Sequence, residues 1–261
     1  MPHGPAKLSK RLDESTNHDE TMTSEREPTD RGLRIATWEI SRVAGAVDGE
    51  LSGPGGSAPR GVSSDTRTLS EGELFVALRG ENFDGHQFVE QARQKGACGA
   101  LVDREYPTDE QTDFPLIRVD DTQDGLAGLG HALWREATDE GLHTIDVTGS
   151  NGKTTTKELL AALWETVGAV FATTGNLNNA IGLPLTLCGL PVDCQHLIVE
   201  LGANAVGEIA ELIRMAPGDE RIITSIGRAH TEGFGSIDGI RRAKSEIFER
   251  SDEATTAIVP T

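Results

Sequence analysis

Cysteine is scarce in this chain: Cys98, Cys188 and Cys194 are the only three in 261 residues. None stands in a C-x-x-C pair, and three thiols spread over this length make no disulfide framework. A reducing, cytoplasmic setting is therefore the expectation. Basic side chains are also short in supply. Twenty-four Lys and Arg face 42 Asp and Glu, for a net charge of −18, which argues against non-specific nucleic-acid binding, because that needs a basic face. The acid excess fits a high-salt environment and an ordinary acidic cytosolic protein equally. Long apolar runs are missing as well. The most apolar loop-like stretch, residues 182–192, contains Pro184 and Pro191 and is too short to cross a bilayer. The N-terminus has no apolar segment of the kind that marks a secretory signal.

What is present begins after a polar start. Residues 1–32 are charged and poor in large apolar side chains, and read as a disordered tail. The remaining length suits two domains. From Leu33 the pattern predicts a short helix over 38–47, a strand at 74–78, a helix over 86–95, and strands at 99–102 and 115–119: a small α/β domain, 33–120. A helix over 124–139, with Leu126, Leu129 and Leu133 on one face, leads into a second domain, 121–261. There, strands are expected at 169–173, 196–201, 221–226 and from Thr256, with helices at 205–215 and 236–250. Strands alternating with helices imply a mostly parallel sheet covered on both faces.

The second domain opens on the most informative stretch, Thr148-Gly-Ser-Asn-Gly-Lys-Thr-Thr155. It follows an apolar-alternating run (Leu142, Ile145, Val147) and precedes a helical pattern in Leu159, Leu160, Leu163, Trp164 and Val167. Strand, glycine loop and helix in that order form a phosphate-binding context. Gly149 and Gly152 allow the backbone to approach a polyanion, and the free N–H groups of a helix start point at phosphate oxygens. Lys153 brings positive charge and Thr154 a hydroxyl suited to Mg²⁺. The strict pattern wants glycine at position 147, where this chain has valine.

Ligands of open α/β sheets gather beyond the carboxyl ends of the strands. Glu200, His230 and Lys244 fall at or near that edge. Glu200 closes an apolar strand and reads either as a Mg²⁺ ligand or as a strand-end acid facing water. On residue type alone His230 reads as a structural loop histidine, and Lys244 as one solvated lysine of a helix.

Several ordered segments change those odds. Asp146-Val-Thr-Gly-Ser-Asn-Gly-Lys-Thr-Thr-Thr-Lys157, Thr174–Thr186 with its Asn178-Asn179 pair, Val199-Glu-Leu-Gly-Ala-Asn204, Ile226–Gly235 and Arg242-Ala-Lys-Ser-Glu-Ile-Phe248 resemble the Mur ligases. Gly61-Val-Ser-Ser-Asp-Thr-Arg67 and Leu74–His86 are similar to that family's UDP-sugar-binding domain. The set is most similar to the member that joins D-alanyl-D-alanine to UDP-N-acetylmuramoyl-tripeptide. The resemblance covers residues 33–261 and implies ATP, Mg²⁺, an acyl phosphate and amide formation in peptidoglycan-precursor synthesis. A monomer is expected, with no nucleic-acid partner from the charge balance and no membrane partner from the lack of a long apolar run.

By the same resemblance, Gly149, Ser150, Asn151, Gly152, Lys153, Thr154, Thr155, Asn178 and Asn179 would surround the nucleotide. Lys153 would contact the β- and γ-phosphates. Thr154 and Glu200 would hold one Mg²⁺, and His230 would help hold a second. Lys244 matches a lysine that is carbamylated in many family members and so becomes a metal ligand. Ser64, Asp65, Arg67, Asp84, Gly85 and His86 would contribute to the UDP-sugar site, with Asp65 and Arg67 as a turn-stabilising pair the alternative. The family also has a C-terminal domain beyond the region matched, so a fragment or truncated form is expected. A folylpolyglutamate-type ligase and a catalytically silent nucleotide-binding remnant are the competing readings.

Overall fold

The computed structural model describes residues 32–80, 83–107, 113–227 and 234–260. Nearly all of the expected tail lies outside them, and so does His230.

The first sheet is built from short strands. In chain order these are β1 (Glu50–Ser52), β2 (Val62–Ser63), β3 (Leu74–Val76), β6 (Gly99–Asp103) and β7 (Leu116–Val119). Between β3 and β6 lies a separate antiparallel hairpin of β4 (Arg79–Gly80) and β5 (Phe83–Asp84). The five strands run β1-β7-β6-β3-β2, parallel except for β1 against β7. Successive side chains of a strand point to opposite faces, and the two cores divide accordingly. Leu74, Val76, Leu101, Ile117 and Val119 pack with Ile40 and Val43 of helix α1 (Ile40–Ala46) on one side. Phe75, Ala100, Val102 and Leu116 pack with Val89 and Ala92 of α2 (Val89–Gln94) on the other. The helix expected over 86–95 opens as a 3-10 turn, Gly85–Phe88, before it becomes α2.

Helix α3 (Thr122–Asp139) serves two cores. Asp121 caps it by accepting hydrogen bonds from Gln123 N (2.7 Å) and Asp124 N (3.0 Å). Gly141, at φ +99°, ends it. Leu126, Leu129 and Leu133, all fully buried, complete the α1 side of the first sheet. Trp134 and Ala137 face the next core instead.

That core belongs to a second, wholly parallel sheet. Its elements are β8 (His143–Thr148), α4 (Lys153–Trp164), β9 (Val170–Ala172), α5 (Gly182–Cys188), β10 (His196–Glu200), α6 (Glu208–Met215), β11 (Glu220–Ile223), α7 (Ile237–Ser245) and β12 (Thr256–Ile258). The strand order is β12-β11-β8-β10-β9. The chain moves from β8 toward β9 and β10, then crosses back to β11. The order therefore reverses beside β8, and a ligand crevice opens at the carboxyl end of such a switch point. The loop at 149–152 sits there.

Two expectations need correction. Residues 182–192, read as loop-like, begin with α5. Asn179 Oδ1 accepts from Ile181 N (3.1 Å) and Gly182 N (2.8 Å), and Pro184 falls in the first turn, where its missing N–H costs no helical bond. The apolar stripe read into α4 also differs. Leu160, Ala161 and Trp164 face the sheet, whereas Leu159, Leu163 and Val167 are 62%, 66% and 68% exposed. The buried arc is centred on the i, i+3, i+4, i+7 set Lys157, Leu160, Ala161 and Trp164, which leaves Leu159 and Leu163 on the flank. Val167 lies beyond the helix end. Among the described residues no helix is long and apolar enough to cross a membrane.

Because α3 closes the first sheet's core, Leu129→Ala should cost about 3 kcal/mol, the usual magnitude for emptying a fully buried leucine site. Denaturant unfolding of the two proteins checks this. A loss under about 1 kcal/mol would show that α3 does not hold that core.

Candidate functional site

The loop between β8 and α4 is shaped by glycine. Gly149 has φ +150° and Gly152 φ +83°. A Cβ on Gly149 would collide with Thr224 Oγ1. The stretch after β11 braces the loop from outside. Ser150 N donates to Ser225 O (2.9 Å), Asn151 N to Ser225 Oγ (3.0 Å), and Gly227 N to Ser150 Oγ (2.9 Å). Thr224 Oγ1 donates to Asn151 O at 2.6 Å. Gly152 is the N-cap of α4 and offers no side-chain acceptor, so the first amides of the helix are left for a ligand, with the positive end of the helix dipole behind them. Lys153 Nζ donates to the carbonyl of Gly149 at 3.0 Å, folding over the loop. Thr155 is exposed on the first turn of α4.

Glu200 ends β10 and is only 3% exposed. Both carboxylate oxygens are engaged: Thr154 Oγ1 donates to Oε2 (2.8 Å) and Asn178 Nδ2 to Oε1 (2.9 Å). The reading of Glu200 as a strand-end acid facing water does not hold. Asn178 is itself held by its backbone, because its carbonyl accepts from Gly202 N at 2.8 Å. Asn179 lines the same cleft, although its side-chain oxygen is used to cap α5.

Lys244, on α7, is no solvated lysine. It is 3% exposed, and its amine lies 5.8 Å from the centre of the Phe234 ring. Burial, with Lys153 nearby, depresses its pKa from 10.5 to about 8, while Glu208 and Glu246 oppose that shift. Glu246 is occupied elsewhere: its carboxylate accepts from Gly207 N and Ala210 N at the start of α6. Lys153, Lys244, Ser150, Asn178, Asn204 and Glu208 share one cleft of about 180 Å³. Two lysines and a bare helix start, set against Glu208 as the single carboxylate among the described lining residues, suit this cleft to a polyanion. The Thr154–Glu200 pair offers the hard oxygen donors that Mg²⁺ prefers. The residues present therefore fit a magnesium–nucleotide.

The first sheet places the other expected residues in two groups. Asp65 and Arg67 form a bidentate pair, with Arg67 Nε 3.0 Å from both carboxylate oxygens and an η nitrogen 2.6 Å from Oδ2. Arg67 also donates its backbone N–H to Asp65, and these bonds hold the Asp65 carboxyl at a pKa of about 2. The pair is exposed, so its guanidinium faces solvent from a defined turn. Ser64 is half-buried beside it. The second group is anchored inward. His86 Nδ1 lies 2.7 Å from Asp84 Oδ1, and His86 Nε2 accepts from Asp103 N at 3.0 Å. Both ring nitrogens thus have partners within the fold. Gly85 donates to Leu78 O, and its Cα packs so tightly on that backbone that a Cβ would lie 2.7 Å from Leu78 O.

Sequence reasoning missed Lys157, Thr173 and the brace at Thr224–Ser225. The one available signal was a lysine three residues beyond Thr154, where helical spacing turns it to the same side.

Fold and loop together define an α/β protein built around a parallel sheet with a phosphate-loop turn at its switch point. Comparison with known proteins supplies the family. Residues 147–261 match the model of the Mur ligase middle domain, and residues 59–133 match that of the Mur ligase family, catalytic domain. The UDP-N-acetylmuramoyl-tripeptide--D-alanyl-D-alanine ligase of Bacillus subtilis (strain 168) is 43% identical over 211 residues, covering 80% of this chain and 45% of its own length. Its counterpart in Escherichia coli (strain K12) is 40% identical over 220 residues, covering 84% and 47%. A crystal structure of MurF from Acinetobacter baumannii superposes with a TM-score of 0.79 at 36% identity, covering 86% of this chain and 49% of that one. The chain belongs to the Mur ligase family. It spans about half the length of the relatives it matches.

The depressed Lys244 pKa has a consequence for stability. Between about 8 and 10.5 the unfolded chain carries a proton that the folded chain does not, so stability rises with pH across that window. Below about pH 8 the full cost of burying the cation is present. Lys244→Met should flatten this rise, read as urea midpoints at pH 7.5, 9 and 10. Equal pH slopes for both proteins would show that Lys244 titrates normally.

Proposed function

We propose that the chain forms the nucleotide-sugar and ATP-binding part of an ATP-dependent ligase that joins D-alanyl-D-alanine to UDP-N-acetylmuramoyl-tripeptide in peptidoglycan-precursor synthesis. The observation that carries the reading is the shared cleft. The glycine loop, Lys153 and Lys244 line it at the end of a parallel sheet, next to a bare helix start, and its lining residue Asn178 bonds to Glu200 of the Thr154–Glu200 pair. The relatives in Bacillus subtilis and Escherichia coli bear the name of this activity.

In this reading the α4 amides and Lys153 bind the β- and γ-phosphates, and Lys153 leaves the Gly149 carbonyl to do so. Thr154 and Glu200 hold Mg²⁺, which when bound neutralises charge on the transferring phosphoryl group. The free carboxylate of the tripeptide takes the γ-phosphoryl group and becomes an acyl phosphate. The amine of D-alanyl-D-alanine attacks the acyl carbon, and the tetrahedral intermediate expels inorganic phosphate as the amide forms. Positioning does most of this work, because both reactants carry negative charge and must be brought into line. Lys244 would add its neutral amine to CO₂ with loss of a proton, and the carbamate so formed would supply oxygen donors suited to Mg²⁺. The depressed pKa supports this, since only the neutral amine reacts. His230 is assigned to a second Mg²⁺ by family resemblance alone. Ser64, Asp65, Arg67, Asp84, Gly85 and His86 are assigned to the UDP-sugar site. There the outward guanidinium of Arg67 is suited to phosphate or carbonyl oxygens, and the Asp84–His86 group shapes the loop. The setting is cytoplasmic.

The test is Lys153→Ala. Calorimetric binding of ATP with Mg²⁺ should fall by at least tenfold while the melting temperature stays within about 2 °C, because the side chain contacts phosphate and supports no core. Unchanged affinity would remove the nucleotide from this cleft.

A further inference from the structure

Lys157 is a buried cation that the proposed chemistry does not use. It sits on the inner face of α4, three residues after Thr154, and is 2% exposed. Its amine donates to Thr173 O at 2.6 Å and lies 2.9 Å from the exposed carboxylate of Glu158. Burying an ammonium is expensive, and an apolar side chain of similar length would fill the same space without that cost. Packing does not explain a lysine here.

Its partner does. Thr173 follows β9 and is 1% exposed. Its N–H donates to Ile198 O (3.0 Å), and its hydroxyl accepts the backbone N–H of Glu200 (3.0 Å). Thr173 is thus a junction with three links. Its carbonyl is tied to the phosphate-loop helix through Lys157, while its amide and hydroxyl are tied to β10 at Ile198 and at Glu200. The Glu200 carboxylate in turn receives the hydroxyl of Thr154. A closed circuit runs from Thr154 along one turn of α4 to Lys157, through Thr173 to the Glu200 backbone, and from the Glu200 side chain back to Thr154. Its members come from two elements and the end of a third; a short turn joins α4 to β9, and the α5 crossover joins β9 to β10.

We propose that Lys157 is a positioning residue for the metal pair: acting through Thr173, it fixes the height of α4 against the end of β10 and so sets the Thr154–Glu200 spacing at which Mg²⁺ is held. The proposal rests on the reading of this cleft as a magnesium–nucleotide site. It assigns Lys157 no contact with phosphate, which separates it in role from Lys153.

The experiment titrates Mg²⁺ into the wild-type chain and into Lys157→Met, Lys157→Arg and Thr173→Val, each with saturating ADP, and reads metal binding by calorimetry. Metal-free ADP affinity and melting temperature are measured alongside. Lys157→Met should weaken Mg²⁺ binding about tenfold while metal-free ADP affinity stays within about twofold. Lys157→Arg, which restores a donor, should recover part of the loss. Thr173→Val, which deletes the hydroxyl but keeps the shape, should reproduce the Mg²⁺ defect even if Lys157→Met does not fold. Wild-type Mg²⁺ affinity in either Lys157→Met or Thr173→Val overturns the proposal, as does an equal loss of metal-free ADP binding, because a merely structural role would move both. If the wild-type chain binds no ADP, the nucleotide reading falls and takes the proposal with it. Wild-type ADP binding with an unshifted Mg²⁺ titration in the variants sinks this proposal alone.

Discussion

The carboxylate of Glu200 is the constraint around which the second half of the molecule is arranged. An acid at the end of a central parallel strand has no water to face, and an unpaired charge there would cost several kcal/mol. The fold answers with two donors from opposite sides: the Thr154 hydroxyl on the helix after β8, and the Asn178 amide on the connection after β9. Each donor is available only if its own element is correctly seated. The helix start is fixed by the glycine loop and its brace at Thr224–Ser225, and Asn178 is fixed by the backbone bond from Gly202. One buried acid thereby ties together the segments that follow β8, β9, β10 and β11. These are the segments that line the crevice of a doubly wound sheet.

The same geometry accounts for the electrostatics of the cleft. The chain is strongly acidic, yet the cleft gathers Lys153, Lys244 and a helix start with no side-chain cap. Burial and the second cation hold the Lys244 amine below its ordinary pKa, at about 8, while the Glu246 carboxylate, two residues along the chain, accepts from Gly207 N and Ala210 N at the start of α6.

Much of this was legible in the sequence because it depends on local rules. The glycine loop needs two glycines at fixed spacing after a strand, and the alternation in Leu142, Ile145 and Val147 announces that strand. The helix expected over 124–139, which the structure starts at Thr122, was visible from Leu126, Leu129 and Leu133. Other features were not, because they depend on tertiary context. Helical periodicity shows which residues share a face, but not where the sheet will lie beneath it. Leu159 and Leu163 were therefore assigned inward, while Lys157 took that place. Two prolines concealed α5, since a proline in the first turn of a helix looks the same in sequence as one in a loop. The engagement of both His86 nitrogens required Asp84 and Asp103 to meet across the first sheet's edge, which no sequence spacing conveys.

Helix α3 has a mechanical consequence. Its leucines lock into the first sheet, and Trp134 and Ala137, further along the same rod, lock into the second. The indole of Trp134 also donates to Thr144 on β8 at 3.0 Å. A joint between the two sheets cannot simply swivel at the residues preceding α3. It would have to bend the rod or unzip one of its faces. The two sheets are therefore geared to each other, and a load applied to the first is delivered through Trp134 to the strand that ends in the phosphate loop.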